Sequence, residues 1–399
     1  MTPFRTLYID MNSFFASVEQ QEDASLRGRP LAITAVSAES GAVVAASYEA
    51  KALGIGVGTR IADARRLCPD IVFRPSRHRL YARVNQKIAA VLDGLAELER
   101  IRSIDEFQIA LGGSTAKLEN AQALARQMKQ AIYAQVGTEL RCSIGIGPNP
   151  LLAKIAGKLQ KPDGLSWLAP ENMPDRLAHL ELDDLPGISR GIRARLNKAM
   201  VWDIRALYRL DPRHARLIWH SVEGERFVRA LQGENIPLGE TQRHGYGQSK
   251  VLAPAYRRPR EALLVGRWLV EKAAERMRRD GYCVRRFSLQ VRFMPDGGWA
   301  GSQSLSASQD TRAMLDIYGK LWAQMMRTRP RKIGSVSVHL GRVLLLSQRS
   351  GELFLPLEAA TPSRREKLAS VVDGLNRRYG ARVLTYGDQQ DHPGFFEKG

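Results

Sequence analysis

Three carboxylates in the first third of the chain could do chemistry together. Asp10 closes the short apolar run Thr6-Leu7-Tyr8-Ile9, and Asp105 and Glu106 stand side by side within Arg102–Ile109. Carboxylates at strand positions are costly to bury unless they are paired or bound to a cation. Oxygen ligands of this kind suit Mg²⁺, which takes a couple of carboxylates and completes its shell with substrate phosphates. Two such ions about 3.5–4 Å apart would stabilise the attacking and the leaving oxygen of a phosphoryl displacement. Neighbours in a regular strand point to opposite faces. Asp105 and Glu106 therefore share a site only if the strand bends or bulges, or if one of them stands at the sheet edge. Taken alone, the pair also suits a solvent-facing turn.

The elements that must position these groups can be read from hydrophobic spacing. Thr6–Ile9 is a strand, followed by a helix with Phe14 and Val18 on one face. Tyr81, Val84, Ile88, Val91 and Leu95 recur at three- and four-residue steps and predict a helix over Arg79–Leu98. Strands follow around Ile101–Leu111, then a helix over Thr115–Val136 and a strand over Leu140–Gly147. A four-stranded sheet backed by two helices is the economical arrangement. Residues 23–77 interrupt it as a separate small lobe. Residues 233–248 carry four glycines without apolar periodicity and read as a linker. Near the end, a helix over Arg364–Tyr379 is stopped by Gly380, and Arg382–Tyr386 reads as a short strand.

Composition narrows the partners. The 399 residues carry 60 Lys+Arg against 41 Asp+Glu, a net charge of +19. Residues 241–350 hold 21 Lys+Arg and 7 Asp+Glu, so most of the excess lies in one stretch. Its basic clusters alternate with the period-two runs Phe287–Phe293 and Ile333–Leu340, as in a sheet module with one basic face. An anionic partner follows, nucleic acid before membrane. No apolar run approaches the roughly 18 residues of a membrane span. No signal peptide is evident, and Cys68, Cys142 and Cys283 are too scattered for a metal site or disulfide framework, which suggests a cytoplasmic protein.

The string Tyr8-Ile9-Asp10-Met11-Asn12-Ser13-Phe14-Phe15-Ala16-Ser17-Val18-Glu19 resembles the opening motif of the Y-family, or lesion-bypass, DNA polymerases. So do Ser47–Gly54, Ser103–Glu106, Ser143–Asn149 with Leu152–Ala156, and Lys161-Pro162-Asp163-Gly164, in the family's order and spacing. Leu185-Pro186-Gly187-Ile188 is similar to the helix-hairpin-helix turn of the family's thumb. Some features lean to the DNA polymerase V catalytic-subunit branch, and the rest suits DNA polymerase IV. The resemblance implies an α+β multidomain, right-hand polymerase. A ferredoxin-like palm would occupy 1–13 and 80–168, small fingers 14–79 and a helical thumb 169–235. A linker at 236–246 would lead to a βαββαβ little finger at 247–350 and a C-terminal extension at 351–399.

Position by position, the resemblance makes Asp10, Asp105 and Glu106 the catalytic, metal-binding carboxylates, with the Met11 carbonyl as a further ligand to two Mg²⁺ ions that Mn²⁺ could replace. Phe15 matches the steric gate that meets the nucleotide sugar, with Phe14 beside it. Tyr48, Lys51 and Lys161 match residues that hold the triphosphate, and Ala42 and Gly58 the small residues that roof the nascent pair. Gly187, Ser189, Arg190, Gly191 and Arg193 would meet DNA phosphates from the thumb, with Arg195 nearby. Four positions depart from the pattern: Asn12 where Asp is frequent, Lys51 where Arg is, Ala45 for a hydroxyl residue, and Phe107 where a small residue is usual. Phe107 puts the shape of the site in question.

The activity implied is low-fidelity, template-directed synthesis past damaged DNA in damage repair and the SOS response, without proofreading. The implied partners are primer-template DNA and dNTPs, with no membrane role. A sliding clamp, through Gln389 and Phe395-Phe396, and an accessory damage-response subunit are further partners the resemblance raises. The competing readings are a catalytically weak relative that binds DNA and recruits repair proteins, and another two-metal palm enzyme such as a nucleotide cyclase. Retention of all three carboxylates weighs against the first. The thumb-like turn and the basic module weigh against the second.

Overall fold

The computed structural model describes residues 3–35, 41–237, 243–349, 364–380 and 382–388. The chain folds as two compact units, Met1–Gly239 and Glu240–Gly399. Among the described residues no helix is long and apolar enough to cross a membrane, and all three cysteines are buried free thiols.

The first unit runs β1 (Thr6–Met11), α1 (Phe14–Glu22), β2 (Leu31–Thr34), β3 (Val43–Ala46), α2 (Tyr48–Ala52), α3 (Ile61–Leu67), β4 (Val72–Pro75), α4 (His78–Asp93), β5 (Leu98–Ile101), β6 (Glu106–Ala110), α5 (Leu118–Gln135), β7 (Cys142–Gly147), α6 (Pro150–Leu159), β8 (Leu165–Trp167), α7 (Arg190–Lys198), α8 (Ile204–Arg209), α9 (Pro212–Trp219) and α10 (Val222–Leu231). Its main sheet has the order β5-β6-β1-β7-β8, five strands rather than the four expected. The extra strand, β8, is three residues long and pairs parallel to β7, too short to leave a periodicity in the sequence. The helix expected to reach Leu98 ends at Asp93. Gly94 caps it, and Leu98 already belongs to β5.

Alternation along β1 and β6 sorts the sheet into two faces. Leu7, Ile9, Met11, Phe107 and Ile109 join residues of α4 and α5 in one core. Tyr8, Asp10, Glu106 and Gln108 point the other way, since Tyr8 pairs with Gln108 and Asp10 with Glu106. On that face α6 lies directly on β7. A Cβ on Gly145 would come within 1.9 Å of the Ala153 carbonyl, and one on Gly147 within 2.5 Å of the Ala153 amide. The far side of α6 supplies Leu152, Ile155 and Ala156 to the core of the helical segment that follows. The described residues of the interrupting lobe include a three-stranded sheet of order β3-β2-β4.

The second unit contains β9 (Gly245–Val251), α11 (Pro259–Arg279), β10 (Tyr282–Phe293), β11 (Gly298–Ser308), α12 (Thr311–Met326), β12 (Ile333–Gly341), β13 (Leu344–Leu345) and α13 (Arg364–Arg378). The first six give a βαββαβ order with the sheet β11-β10-β12-β9. Part of the expected linker is strand. Gly245 is glycine because β9 passes against the His339 ring, where a Cβ on Gly245 would come within 2.5 Å of the imidazole. The segment Arg382–Tyr386 is not a strand. Side chains take its backbone groups instead: Arg267 donates to the Tyr386 carbonyl at 2.5 Å, and Asn376 brackets the Leu384 amide and carbonyl at 2.9 Å each. The peptide around Gln389 and Phe395-Phe396 lies outside the described residues.

The helix α13 is tied to this unit by buried charge. Asp373 accepts a forked pair of bonds from Arg278 at 2.6 and 2.9 Å. Arg278 also donates to the Gln309 carbonyl and the Thr311 hydroxyl. Its side chain is 5% exposed. Removing one partner of such a pair leaves a buried charge uncompensated, so Arg278→Ala is expected to cost about 3 kcal/mol. A denaturant midpoint checks this, and an Arg278→Ala/Asp373→Ala double variant should recover part of the loss.

Candidate active site

The turn between β5 and β6 resolves how adjacent carboxylates serve one face. Glu106 is the first residue of β6, and Asp105 precedes it in the turn, outside the pleat. The Arg102 and Ser103 amides both donate to the Glu106 carbonyl, at 2.9 and 3.3 Å, closing the turn. The Met11 amide donates to the Asp105 carbonyl at 2.9 Å, which anchors the turn to the end of β1. The Ser103 hydroxyl donates to Asp105 at 2.5 Å. Burial, with the charges of Asp10 and Glu106 adding to it, pushes the Asp105 carboxyl above its ordinary range.

Two lysines meet the other carboxylates. Lys161 donates to Asp10 at 2.6 Å. Lys154, on α6, donates to Glu106 at 2.5 Å and to the Tyr8 hydroxyl at 3.1 Å. Burial acts to raise Glu106, but the Lys154 ammonium outweighs it and holds the carboxyl below its usual range. Burial pushes the Tyr8 phenol up to about 12. Lys154 is the functional group that reasoning from sequence missed. Its signal was a lone cation in the apolar run Leu151–Gly157, on a helix whose approach the two glycines of β7 permit.

The loops around Asp10 are held in costly conformations. Ser13 and Asp163 adopt left-handed backbones, with φ of 48° and 56°, of the kind that persists only where the surroundings enforce it. Asn12, 2% exposed, does the enforcing. It donates to the Ser143 hydroxyl at 3.0 Å and accepts from the Asp163 amide at 2.7 Å. Lys129 adds an ion pair to Asp163 at 2.8 Å. The loop that follows β1 and the loop carrying Lys161 are thus fixed to each other, and Lys161 is aimed at Asp10.

The interrupting lobe brings Tyr48 and Lys51 to the same place. Lys51 donates to the Ser13 hydroxyl at 2.7 Å and lies over the Tyr48 ring at 4.7 Å. Burial, then repulsion by Lys161, lowers the Lys51 ammonium. Ala42 and Gly58 stand exposed on one ribbon of this lobe, Ala42 in a bridge to Arg60 and the Gly58 amide on the Val43 carbonyl at 2.8 Å.

Other expected residues fall elsewhere. The Phe14 ring is only 3% exposed and belongs to the core under the sheet, so it supports the site from below and does not face a nucleotide. The Met11 side chain is likewise core. Phe15 is half-buried and stacks on Tyr81. In the helical segment, Gly187 takes a φ of 100°. Ser189 caps α7, and Arg190 and Gly191 are exposed. Arg193 is held at the surface by ion pairs to Glu181 at 2.9 Å and Asp183 at 2.5 Å, and Arg195 donates to the Trp219 carbonyl at 3.0 Å.

The open face of the second sheet is not the uniformly basic face expected. Its rows read Ser304–Arg286–Gly341–Gly245, Ser302–Ser288–His339–Gly247, Ala300–Gln290–Ser337–Ser249 and Gly298–Arg292–Ser335–Val251. Only Arg286 and Arg292 carry charge there. The cationic clusters sit instead at turns and helix ends, as with the exposed Arg258, Arg327, Arg329, Arg331 and Lys332.

The donors Asp10, Asp105, Glu106 and the Met11 carbonyl are all oxygen and suit a hard divalent cation. Among the described residues no three carboxylates, histidines or cysteines stand as a ready ligand set, and Asp10 and Glu106 each accept from a lysine. A cation must compete with those ammonium groups. Lys161→Ala is therefore expected to tighten binding of Mn²⁺ alone several-fold, titrated by electron paramagnetic resonance. Unchanged or weaker binding would mean that Lys161 does not hold Asp10.

The impB/mucB/samB family matches residues 9–158, and its C-terminal domain matches residues 243–353. A DNA polymerase IV from Moorella thermoacetica is 33% identical over 389 residues, covering 95% of this chain and 94% of that protein. A DNA polymerase IV from Bacillus anthracis is 26% identical over 388 residues, covering 96% and 93%. Among solved structures, a Y-family DNA polymerase chimera, Dbh-Dpo4(243-245)-Dbh, is similar in fold at a TM-score of 0.70 with 23% identity, covering 86% of this chain and 99% of that one. DinB from Sulfolobus solfataricus follows at a TM-score of 0.53, with the same identity and coverage.

Proposed function

The chain belongs to the impB/mucB/samB family, the Y-family DNA polymerases of the DNA polymerase IV type, and from that premise we propose that it extends a primer 3′ end along damaged or distorted DNA template by two-metal phosphoryl transfer. The observation that carries this reading is the gathering of Asp10, Glu106 and Asp105 on one sheet face beside Lys161, Lys51 and Tyr48. An acidic cluster next to a cationic one is what a metal-bound triphosphate requires.

In this reading residues 1–13 and 80–168 are the palm, 14–79 the fingers, 169–235 the thumb and 247–350 the little finger. Asp10, Asp105, Glu106 and the Met11 carbonyl would hold two Mg²⁺ ions, which supply Lewis-acid stabilisation of the attacking and leaving oxygens. Mn²⁺ would serve in their place. Lys161 and Lys51 would neutralise the triphosphate and the charge that grows on departing pyrophosphate, and the Tyr48 hydroxyl would donate a hydrogen bond to it. Lys161 exchanges Asp10 for phosphate as the nucleotide arrives, freeing the carboxylate at the moment it is needed. Ala42 and Gly58 present little side chain to the nascent pair, which leaves room for a distorted base.

On the second unit, the open face of serine, glycine and alanine lets a duplex approach closely, with Arg286, Arg292 and the marginal cations meeting phosphates. The exposed turn at Gly187–Gly191 adds backbone amides and Arg190. A sliding clamp met by Gln389 and Phe395-Phe396, and an accessory damage-response subunit, would complete the partners. The protein would act in the cytoplasm, which suits its free buried thiols.

Primer extension with Mg²⁺ and the four dNTPs tests the reading. Asp105→Ala/Glu106→Ala is expected to lower the rate at least about a thousandfold while leaving primer-template affinity within about threefold. A wild-type chain that binds DNA without extending it would sink the proposal. Arg286→Ala/Arg292→Ala should reduce the slope of log K against log[salt] by about 2, because each phosphate contact contributes close to one unit.

A further inference from the structure

The resemblance reads Phe15 as the aromatic that meets the nucleotide sugar, and its ring does not stand alone on α1. It lies 4.2 Å from the Tyr81 ring, nearly parallel at 13°. The His78 imidazole meets it edge-on at 6.0 Å and 88°. Tyr81 has no exposed surface, and its hydroxyl donates to Glu19 at 2.8 Å. Glu19, 2% exposed, also accepts from Arg77, through Nε at 2.9 Å and through Nη2.

Sequence spacing explains why these four side chains meet. Phe15 and Glu19 are four residues apart on α1, so they share a face one turn apart. Arg77 and Tyr81 are four apart at the start of α4. The two pairs face each other, ring on ring and carboxylate on guanidinium, with the Tyr81 hydroxyl joining the two layers. A buried carboxylate is tolerated only when it is fully bonded. Glu19 has its bonds only in this arrangement, so the carboxylate pins the phenol and the phenol backs the Phe15 ring.

We propose that the Arg77–Glu19–Tyr81 cluster is a positioning device for Phe15 and that Tyr81 thereby sets discrimination between deoxyribose and ribose. A clash rejects a 2′-hydroxyl only if the clashing ring cannot yield. A Phe15 ring with open space behind it could tilt to another rotamer and admit the hydroxyl. With Tyr81 stacked behind it, that retreat is closed. The inference rests on the reading of Phe15 as the gate, and the experiment separates the two.

The measurement is single-nucleotide incorporation, as the ratio of kcat/KM for a dNTP to that for the matching rNTP. A general structural lesion lowers both terms and leaves the ratio alone. Phe15→Ala, the test of the gate itself, is expected to collapse the ratio by about a hundredfold or more. Tyr81→Leu, which removes the backing ring, should lower it by about tenfold, chiefly through a lower KM for the rNTP. Tyr81→Phe keeps the ring but not its tether and should fall between Tyr81→Leu and wild type. Glu19→Gln, which weakens the tether from the other end, should behave like Tyr81→Phe.

If Phe15→Ala leaves the ratio unchanged, the gate reading fails. If it collapses the ratio while folded Tyr81→Leu keeps the wild-type value, the gate stands and the positioning role is overturned. Should Tyr81→Leu fail to fold, Tyr81→Phe and Glu19→Gln carry the same test, and wild-type ratios in both overturn the proposal.

Discussion

Three carboxylates brought to one face of a sheet repel one another, and much of the first unit answers that repulsion. Asp10 and Glu106 are directly opposite in the antiparallel register of β1 and β6, a placement in which like charges destabilise a sheet. Lysine relieves each of them. Lys154 reaches Glu106 because α6 rests against β7, and α6 can rest there because Gly145 and Gly147 have no side chains to hold it off. Lys161 reaches Asp10 because the Asn12 amide and Lys129 fix the loop that bears it. The small residues of β7, the left-handed backbones at Ser13 and Asp163 and the buried amide follow from the same need. The relief is also reversible. A cation that replaces an ammonium satisfies the same oxygens, and in the proposed reading Lys161 would then be available for phosphate.

In the proposed reading the second unit answers a different demand, contact with a long anionic surface without dependence on its sequence. The strands put bulky apolar residues on the helix-covered side and leave serine, glycine, alanine, Gln290 and His339 on the open side, with two arginines among them. In the proposed reading the short hydroxyl side chains would let a phosphate backbone approach closely, with Arg286, Arg292, Gln290 and His339 as the longer polar groups among them. Long cations around the rim attract from a distance, which steers association and weakens with salt. The charge excess of this segment is visible in composition. Its distribution, small residues in the middle and arginine at the margins, is a property of the strand register.

What could be read before the fold was known follows the same division. The first strand, the long amphipathic helices and the two period-two runs of the second unit carry strong periodicities, and the structure has them, with β1 running one residue past Asp10 to Met11; the βαββαβ order came from the family resemblance. The fifth strand was illegible because three residues in parallel pairing carry no alternation of their own. Gly245 looked like a linker residue because glycine signals a turn and close packing alike, and only the position of His339 tells the two apart. Arg382–Tyr386 looked like a strand from its side chains, yet its backbone bonds go to Arg267 and Asn376. At the site, the carboxylates and phosphate-binding cations were legible as residue types in motifs. The partners that aim them were not, since Lys154 with Glu106 and Asn12 with Asp163 are long-range pairs. The pairing of Arg193 had no sequence signal, because acidic residues ten and twelve positions earlier become its partners only once the turn is folded.

Two departures from the family pattern acquire a meaning from this geometry. Phe107 would crowd the site if it stood on the same face as Glu106. It stands one residue along a strand, so it faces away and fills the core beside Ile9 and Ile109 with no exposed surface. Its bulk therefore bears on the packing of α4 and α5 and not on the space for a nucleotide. Asn12 is a parallel case. An aspartate in its place could accept from the Asp163 amide but, when ionised, could not donate to Ser143, and it would bury a fourth negative charge beside Asp10. The neutral amide makes both bonds and adds no charge to a face that already carries three. The substitution thus costs the site no ligand and spares it a repulsion, as expected of a residue whose task is to hold the two loops together.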